Sequence, residues 1–177
     1  RGLTGYHNVL LVDGIRLNHS AMRSGPNQYW STVELFGSER VEALRGTHGV
    51  LFGADAVGGI VNSLSSEPSY SNQKNYKSFE LLGRASSGED SFGAGFSAEV
   101  SSPKWFAEIS HTERSFGDLD GGRKVERQKN TGYDVRGSQA RLSRKLSVNA
   151  DLIFGVQKNF MDDVPRTHKT IDGLTWE

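Results

Sequence analysis

Cysteine is absent from this 177-residue chain, and no run of apolar residues approaches the length of a membrane-spanning helix. The lack of cysteine excludes a disulfide scaffold and a thiolate metal site. Net charge is missing as well: 21 basic residues balance 21 acidic ones without a basic stripe, so nucleic acid is not an expected partner. The mean hydropathy of −0.53 fits a soluble protein, and it equally fits strands that alternate apolar and polar residues.

The chain also has no initiator methionine and no charged-then-apolar signal region. It begins at Arg1 and ends at Trp176-Glu177, shortly after a turn-like Asp172-Gly173. These ends predict an internal segment of a longer precursor. What the chain has in quantity is glycine, with 21 residues, and these mark several of its motifs.

The first motif is a tight hairpin near the N-terminus. The apolar run Val9 to Val12 is followed by Asp13-Gly14 and then by the second β-prone run Ile15 to Asn18. An Asp-Gly pair between two such runs is among the strongest short hairpin signals, because both turn positions need a positive φ.

A polar segment without periodicity, Asn18 to Ser31, follows the hairpin and is predicted to be a loop. Loops held on a rigid scaffold are frequent binding sites, although a plain solvent-facing connection is the alternative. The segment concentrates groups that could bind a ligand, namely His19, Met22, Arg23, Asn27, Gln28, Tyr29 and Trp30.

A charged segment and a glycine-rich segment come next. In Ser38 to Gly46, glutamate and arginine alternate around Val41 and Ala43, which suits a strand with one solvated face; a short helix is the alternative. In Gly49 to Asn62, glycines are spaced among small apolar residues, as close backbone packing and tight turns require. The spacing matches neither G-x-G-x-x-G nor a Gly-Lys-Ser/Thr loop, so a phosphate site is not indicated.

Taken together, Leu10 to Leu64 resembles the plug domain of TonB-dependent outer-membrane receptors, where a hairpin, an apical loop and a glycine-rich return occur in this order. The resemblance implies that Arg45, in the Leu-Arg-Gly that ends a plug strand, faces carboxylates of the barrel wall and locks the plug in place. It also makes the loop a plug apex, with substrate contacts from Arg23, Asn27, Gln28, Tyr29 and Trp30. The N-terminal half of the plug and the segment that contacts TonB in this family are absent from the chain.

The last two thirds of the chain alternate with period two, as strands with one apolar face do. The clearest strands are Ser91 to Ser101 and Ser147 to Gln157, and weaker ones are Ser78–Ala85, Lys104–Arg114 and Tyr133–Leu146. Short turns are expected after Val100 and near Arg144 to Leu146, with a long polar loop from Phe116 to Gly132 between them. Short turns alternating with longer loops are typical of bacterial outer-membrane barrels.

The resemblance therefore implies two parts. Residues 1–69 are expected to be the C-terminal part of an α+β plug, and residues 70–177 about the first five strands of an antiparallel transmembrane β-barrel, which is incomplete and mainly β. The implied protein is a receptor of the bacterial outer membrane, not an enzyme, and it imports a scarce nutrient such as a siderophore, haem, cobalamin or a metal complex. Its implied partners are that substrate, the outer-membrane lipid and the TonB energy-coupling protein; no cofactor is implied.

Two other classes of protein remain as alternatives. In a soluble extracellular or periplasmic β-rich binding module, Phe92, Phe96, Leu152 and Phe154 would be buried in a core, whereas in a barrel they would face lipid. A hydrolase would need two carboxylates converging in a cleft, which the spacing does not suggest. Calcium could bind loop aspartates, but such residues are more often solvated turn formers, and we expect no metal site. The aspartates concerned are Asp118, Asp120, Asp162 and Asp163.

Overall fold

The computed structural model describes residues 7–17, 33, 38–53, 55–121 and 126–164, together with the backbone of two short strands at 170–171 and 174–175. The chain forms two compact units, Arg1–Glu67 and Pro68–Glu177. Within the described ranges, no helix is long and apolar enough to cross a membrane.

The first unit is built on a four-stranded sheet with one short helix. The elements are β1 (Asn8–Val12), β2 (Ile15–Arg16), β3 (Arg40–Arg45), α1 (Gly49–Phe52) and β4 (Gly59–Leu64). Strand β1 runs parallel to β4, while β2 and β3 are antiparallel to their neighbours, in the order β2-β1-β4-β3. The strand interpretation of the charged segment is thus confirmed, because Arg40 to Arg45 pairs with β4 along its whole length.

The predicted hairpin joins β1 to β2. Asp13 and Gly14 have φ values of 49° and 77°, the two positive angles that a tight Asp-Gly turn requires. The core of this unit lies on β1, on β4 and after α1, where Phe52 packs against a small set of buried apolar side chains. These side chains are Val9, Leu11, Ala56 and Ile60.

The second unit is a five-stranded antiparallel meander. Its strands are β5 (Tyr76–Ser86), β6 (Ser91–Ser101), β7 (Trp105–Phe116), β10 (Tyr133–Ser147) and β11 (Ala150–Asp162). They are arranged in the order β11-β10-β7-β6-β5. Two small hairpins accompany it, formed by β8 (Leu119–Asp120) with β9 (Arg127–Gln128) and by β12 (Thr170–Ile171) with β13 (Leu174–Thr175).

Two details of the second unit differ from the sequence prediction. The turn expected near Arg144 to Leu146 is wrong: β10 continues to Ser147 and the chain turns at Val148-Asn149. The strand is prolonged because the Arg144 guanidinium lies over the Trp105 ring and the Lys145 amide donates to the Lys104 carbonyl, with a register shift following. The segment predicted as a plain loop after Phe116 contains the β8–β9 hairpin.

The five-stranded sheet has two chemically different faces, because residues paired directly across antiparallel strands point to the same side. The apolar face, defined by Phe79, Leu81, Phe92, Ile109, Leu142, Leu152 and Phe154, is exposed. The polar face, defined by Glu99, Glu108, Arg141 and Ser143, is largely covered.

The exposure of the apolar face distinguishes a barrel from a soluble binding module. Phe92, Leu152 and Phe154 are 65%, 61% and 67% exposed, so they form no core. Phe96 is half-buried and stacks on Phe79 with ring centroids 6.3 Å apart on the same face. A contiguous exposed apolar surface of this kind marks a lipid or partner contact and is not expected on a soluble sandwich.

Candidate functional site

Arg45 lies at the last position of β3, where the backbone is held on both sides. It pairs with Gly59 of β4, and the next residue, Gly46, has a φ of 110° and donates its amide to the Gly58 carbonyl at 3.2 Å. Gly59 permits this close pairing, because a Cβ there would lie 2.7 Å from the Leu44 carbonyl oxygen. The Arg45 side chain is exposed and, within the described residues, forms no ion pair. The structure therefore presents an exposed guanidinium at the end of β3, immediately before a turn with a positive φ.

The hairpin that leads into the predicted binding loop is tied to β4. The Asp13 carboxylate accepts two hydrogen bonds of 2.8 Å, one from the backbone amide and one from the hydroxyl of Ser65. The Asn62 side-chain oxygen accepts a 3.3 Å bond from the Gly14 amide. Arg16 forms an ion pair with Asp55 in the turn after α1. These contacts give the hairpin a defined position on the sheet.

The five predicted substrate contacts, Arg23, Asn27, Gln28, Tyr29 and Trp30, lie outside the described residues. Their assignment stays a prediction. What the structure contributes is the stem from which their loop departs, ending at Leu17, whose amide donates to the Leu10 carbonyl at 2.9 Å.

The polar face of the five-stranded sheet carries an ionic row across three strands. Glu99 of β6 is paired with Glu108 of β7, and Glu108 with Arg141 of β10. The Arg141 Nη2 lies 3.3 Å from the Glu108 Oε2, and these side chains are only 9% and 16% exposed. The guanidinium also lies 5.7 Å from the centre of the buried Phe106 ring. A covered pair of this kind is costly to break, because the charge that remains would lose its oppositely charged neighbour.

The connection between β7 and β10 is closed by the Asp118 carboxylate. Its Oδ1 accepts hydrogen bonds from the backbone amides of Thr131 at 2.8 Å and Gly132 at 3.1 Å. These two bonds are the main reason that the pKa of Asp118 lies below its ordinary value of 3.8. Arg127 reaches Asp90 of the preceding connection at 2.9 Å, so the two connections at this end are linked.

Two of the loop aspartates that were considered for calcium form hydrogen bonds or ion pairs with other parts of the protein. Asp118 binds the two backbone amides, and Asp162 lies 3.4 Å from the Arg136 guanidinium. Among the described residues, no group of three or more histidine, aspartate or glutamate side chains is arranged to hold a metal ion.

Two features of these sites escaped the sequence analysis. The Glu108–Arg141 pair joins residues 33 positions apart, and only the register of β7 against β10 brings them together. The contact between Asp13 and Ser65 spans 52 positions. In the sequence, Glu108 and Arg141 are charged residues on the polar side of alternating strands, but this pattern does not identify their partners.

Comparison with known proteins agrees with this arrangement. The TonB-dependent receptor plug domain family matches residues 1–60. The vitamin B12 transporter BtuB of Photobacterium profundum is 34% identical over 65 residues, which are 37% of this chain and 10% of that protein. The chain therefore spans about a tenth of the length of this curated relative.

Solved structures resemble the chain over nearly its whole length. The copper transporter OprC superposes with a TM-score of 0.69 at 15% identity, covering 89% of this chain and 23% of OprC. The pyoverdine outer membrane receptor FpvA of Pseudomonas aeruginosa PAO1 gives a TM-score of 0.59 at 18% identity, covering 86% of this chain and 20% of FpvA. At these identities the likeness shows the fold, and it includes both the plug-type sheet and the meander.

The fold is thus that of a plug sheet continued by antiparallel transmembrane β-barrel strands, as in receptors of the bacterial outer membrane. Residues 1–60 match the plug domain of TonB-dependent receptors, and the fold of the longer chain is the one seen in such receptors of the bacterial outer membrane. Together these findings support a fragment of a TonB-dependent receptor.

Proposed function

We propose that this chain is the C-terminal part of the plug, residues 1–69, and about the first five barrel strands, residues 70–177, of a receptor that imports a scarce nutrient through a plugged β-barrel. The observation that carries the proposal is the five-stranded meander with an exposed apolar face, which follows a plug-type sheet in the same chain. Such a face suits lipid, and the covered polar face suits a barrel interior. The nutrient is a small molecule or metal complex that the receptor moves without converting it chemically.

The substrate would bind at the plug apex, in the loop that leaves the hairpin after Leu17. A firm stem supports this assignment, because the bonds from Ser65 to Asp13 hold the base of the loop against β4. The loop supplies a guanidinium, two amides and two aromatic rings that can surround a polar, partly aromatic ligand. These are the side chains of Arg23, Asn27, Gln28, Tyr29 and Trp30.

The relatives do not define a single substrate class. Vitamin B12, copper and pyoverdine are named for three of them, and these ligands differ in size and chemistry. We therefore propose the class of siderophores, haem, cobalamin and metal complexes as a whole. Transport would depend on the TonB protein as the partner that transmits energy to the plug.

Uptake in a strain deleted for the native gene tests this proposal. Labelled cobalamin, haem, a ferric catecholate and a copper complex would be offered separately under starvation. We expect uptake of one class to be lost and to be restored by the native gene, but not by a gene carrying Tyr29→Ala and Trp30→Ala. The change Tyr76→Ala, which removes an exposed ring from β5, serves as the matched control and should restore uptake. Unchanged uptake of all four classes in the deletion strain would contradict the proposal.

The role of Arg45 as a lock between plug and barrel wall is a separate part of the proposal. Its support is that the exposed guanidinium lies at the end of a strand that is paired with β4, and a planar guanidinium is the best match for a wall carboxylate. Replacing Arg45 by alanine should loosen the plug and make cells sensitive to large antibiotics that the outer membrane normally excludes. Arg40→Ala, at the other end of the same strand, removes an exposed pair with Glu42 and should leave the barrier intact. Equal sensitivity of both variants would argue against a specific lock.

A further inference from the structure

The connecting segment, residues 68–75, lies between the first unit and β5, and it is fastened to the five-stranded sheet near its beginning. Tyr70 is half-buried, and its hydroxyl shares a 2.6 Å hydrogen bond with the Ser143 hydroxyl of β10, 73 positions further along the chain. Ser143 is 1% exposed, so this end of the bond is shielded from water. The Lys145 ammonium lies 5.5 Å from the centre of the Tyr70 ring, in a cation–π contact. One tyrosine thus contacts two successive polar-face positions of β10.

Ser143 belongs to a row of paired residues that crosses the polar face from β10 to β5. It pairs with the buried Phe106 of β7, and Phe106 pairs with the buried Ser101 of β6. The row ends on β5 with a second tyrosine, Tyr76, which is exposed. Among the described residues, the Tyr76 hydroxyl forms no hydrogen bond, so it offers a natural comparison for the bonded hydroxyl of Tyr70.

Beyond Tyr70, the connecting segment follows a local turn into β5. The Gln73 amide donates to the Ser71 hydroxyl at 3.1 Å, and Asn75 has a φ of 63°, a conformation that asparagine tolerates in turns. β5 begins at the next residue, Tyr76. The part of the segment from Tyr70 onwards is therefore held by the second unit alone.

The chain that enters the connecting segment is held by the first unit up to Glu67. The Glu67 amide donates to the Glu39 carboxylate at 3.3 Å, two residues after the bonds that Ser65 makes to the hairpin. Pro68 and Ser69 form no hydrogen bond within the part of the chain that the structure describes. We call these two residues the joint. Because proline fixes its own φ, few backbone angles can change within the joint.

We propose that Tyr70 is a positioning residue that anchors the connecting segment to the barrel wall, so that movement of the plug during import is confined to the joint. The proposal rests on the proposed function, because it needs the plug to move while the strands stay in the membrane. An extended chain spans about 3.3–3.6 Å per residue, so the three steps from Glu67 to Tyr70 allow a reach of about 11 Å. Without the anchor, the nine steps from Glu67 to Tyr76 would allow about 30 Å. The anchor therefore limits how far the end of the plug can move from the wall.

The anchor itself is tested in the purified native gene product that carries this chain, without any ligand. Hydrogen exchange at the amides of residues 71–75 should become about fivefold faster in Y70F and in S143A, as the loss of one hydrogen bond predicts. The double variant Y70F/S143A should exchange no faster than either single variant, because both changes remove the same bond. The matched control Y76F removes the hydroxyl at the β5 end of the same row and should leave this exchange unchanged. Unchanged exchange in Y70F and S143A, or additive effects in the double variant, would overturn the anchor.

The second test makes the anchor covalent in cells. The variant Y70C/S143C introduces two thiols into a chain that has no cysteine, and a short reagent with two thiol-reactive ends and a reducible link joins them. The probes are the four labelled compounds named for the uptake experiment above. Uptake should match that of the same variant before crosslinking, because the connecting segment stays on the wall during import. Loss of uptake on crosslinking, with recovery after reduction, would overturn the proposal, since it would show that the segment must detach.

A third measurement distinguishes an anchor that acts during import from a contact that only stabilises the resting protein. Y70A should admit large antibiotics only while a probe is being imported and TonB is present, because the longer tether matters only when the plug is pulled. Y70F keeps the ring beside Lys145 and should admit less. No increase in Y70A, or an equal increase without TonB, would overturn the proposal. Absence of uptake of all four probes by the wild type would be a failure of the proposed function, and it is recognised separately because the hydrogen-exchange test needs no uptake.

Discussion

Replacing Gly59 by alanine should open the plug-type sheet between β3 and β4. The added Cβ would lie 2.7 Å from the Leu44 carbonyl oxygen, whereas ordinary contact begins at 3.4 Å, so the strands must separate by about 0.7 Å. The Leu44 carbonyl oxygen belongs to the backbone, so it cannot move aside by a side-chain rotation. Overpacking costs roughly 1–3 kcal/mol, and a weakened hydrogen bond between β3 and β4 adds about 0.5–1.5 kcal/mol. Alanine also lowers the conformational entropy of the unfolded chain, which offsets about 0.4–1 kcal/mol of this loss.

The expected net loss is about 2 kcal/mol, which corresponds to a roughly 30-fold increase in local opening. Hydrogen exchange of the β3 and β4 amides in the purified receptor measures this opening directly. Gly83→Ala is the matched control: Gly83 also lies within a strand, but a Cβ there has no atom within 4 Å. The control should change local stability by less than about 0.5 kcal/mol. Similar exchange in both variants would refute the argument that Gly59 is required by close approach of the strands.

Three further predictions concern charged groups. Arg141→Met should lower the free energy of unfolding by about 3–5 kcal/mol, because the covered Glu108 loses the guanidinium that lies 3.3 Å away. Breaking the exposed ion pair between Asp90 and Arg127 should change it by at most about 1 kcal/mol. Similar denaturation midpoints for the two variants would contradict this. Asp118→Ala should speed hydrogen exchange at the Thr131 amide at neutral pH. Since the pKa of Asp118 is lowered in the folded protein, the wild-type carboxylate stabilises the connection above pH 3.8 and loses this effect as the pH falls through the folded pKa. If the difference in exchange rate between wild type and variant did not change with pH, this explanation would be wrong. Asp13→Ala should lower plug stability by about 1.5–3 kcal/mol through the lost charge-assisted bonds, and Asp13→Asn, which keeps the positive φ, should lose less in the same exchange experiment.

The strands of the second unit could be predicted from the sequence because their alternation is local information. The bounds of Ser91–Ser101 agree to the residue, since one face of β6 is apolar at every second position. The Asp13-Gly14 turn could be predicted for the same reason, as its two positive φ values depend on those residues alone. Local patterns of this type need no knowledge of partners.

The remaining features depend on pairing, which a single sequence does not reveal. The end of β10 was misplaced because Arg144 and Lys145 look like turn residues until Trp105 and Lys104 are placed beside them. The Glu108–Arg141 pair likewise follows from register. The substrate contacts proposed for the loop after Leu17 lie outside the described residues, so their assignment follows from the family resemblance.

The placement of charge on the five-stranded sheet agrees with one face being in contact with lipid. On the polar face, the ion pair of Glu108 and Arg141 is covered and lies near the end with short turns. On the apolar face, charged residues occur towards both ends, with Lys77 and Arg144 at the end with short turns, while the middle carries side chains such as Phe79 and Ile109. A soluble protein would have no reason to keep charge away from the middle of an exposed face. A lipid-facing wall does, because the cost of a charge falls steeply from the midplane to the interface. The same distribution thus distinguishes the lipid-facing side of the sheet from its covered polar side.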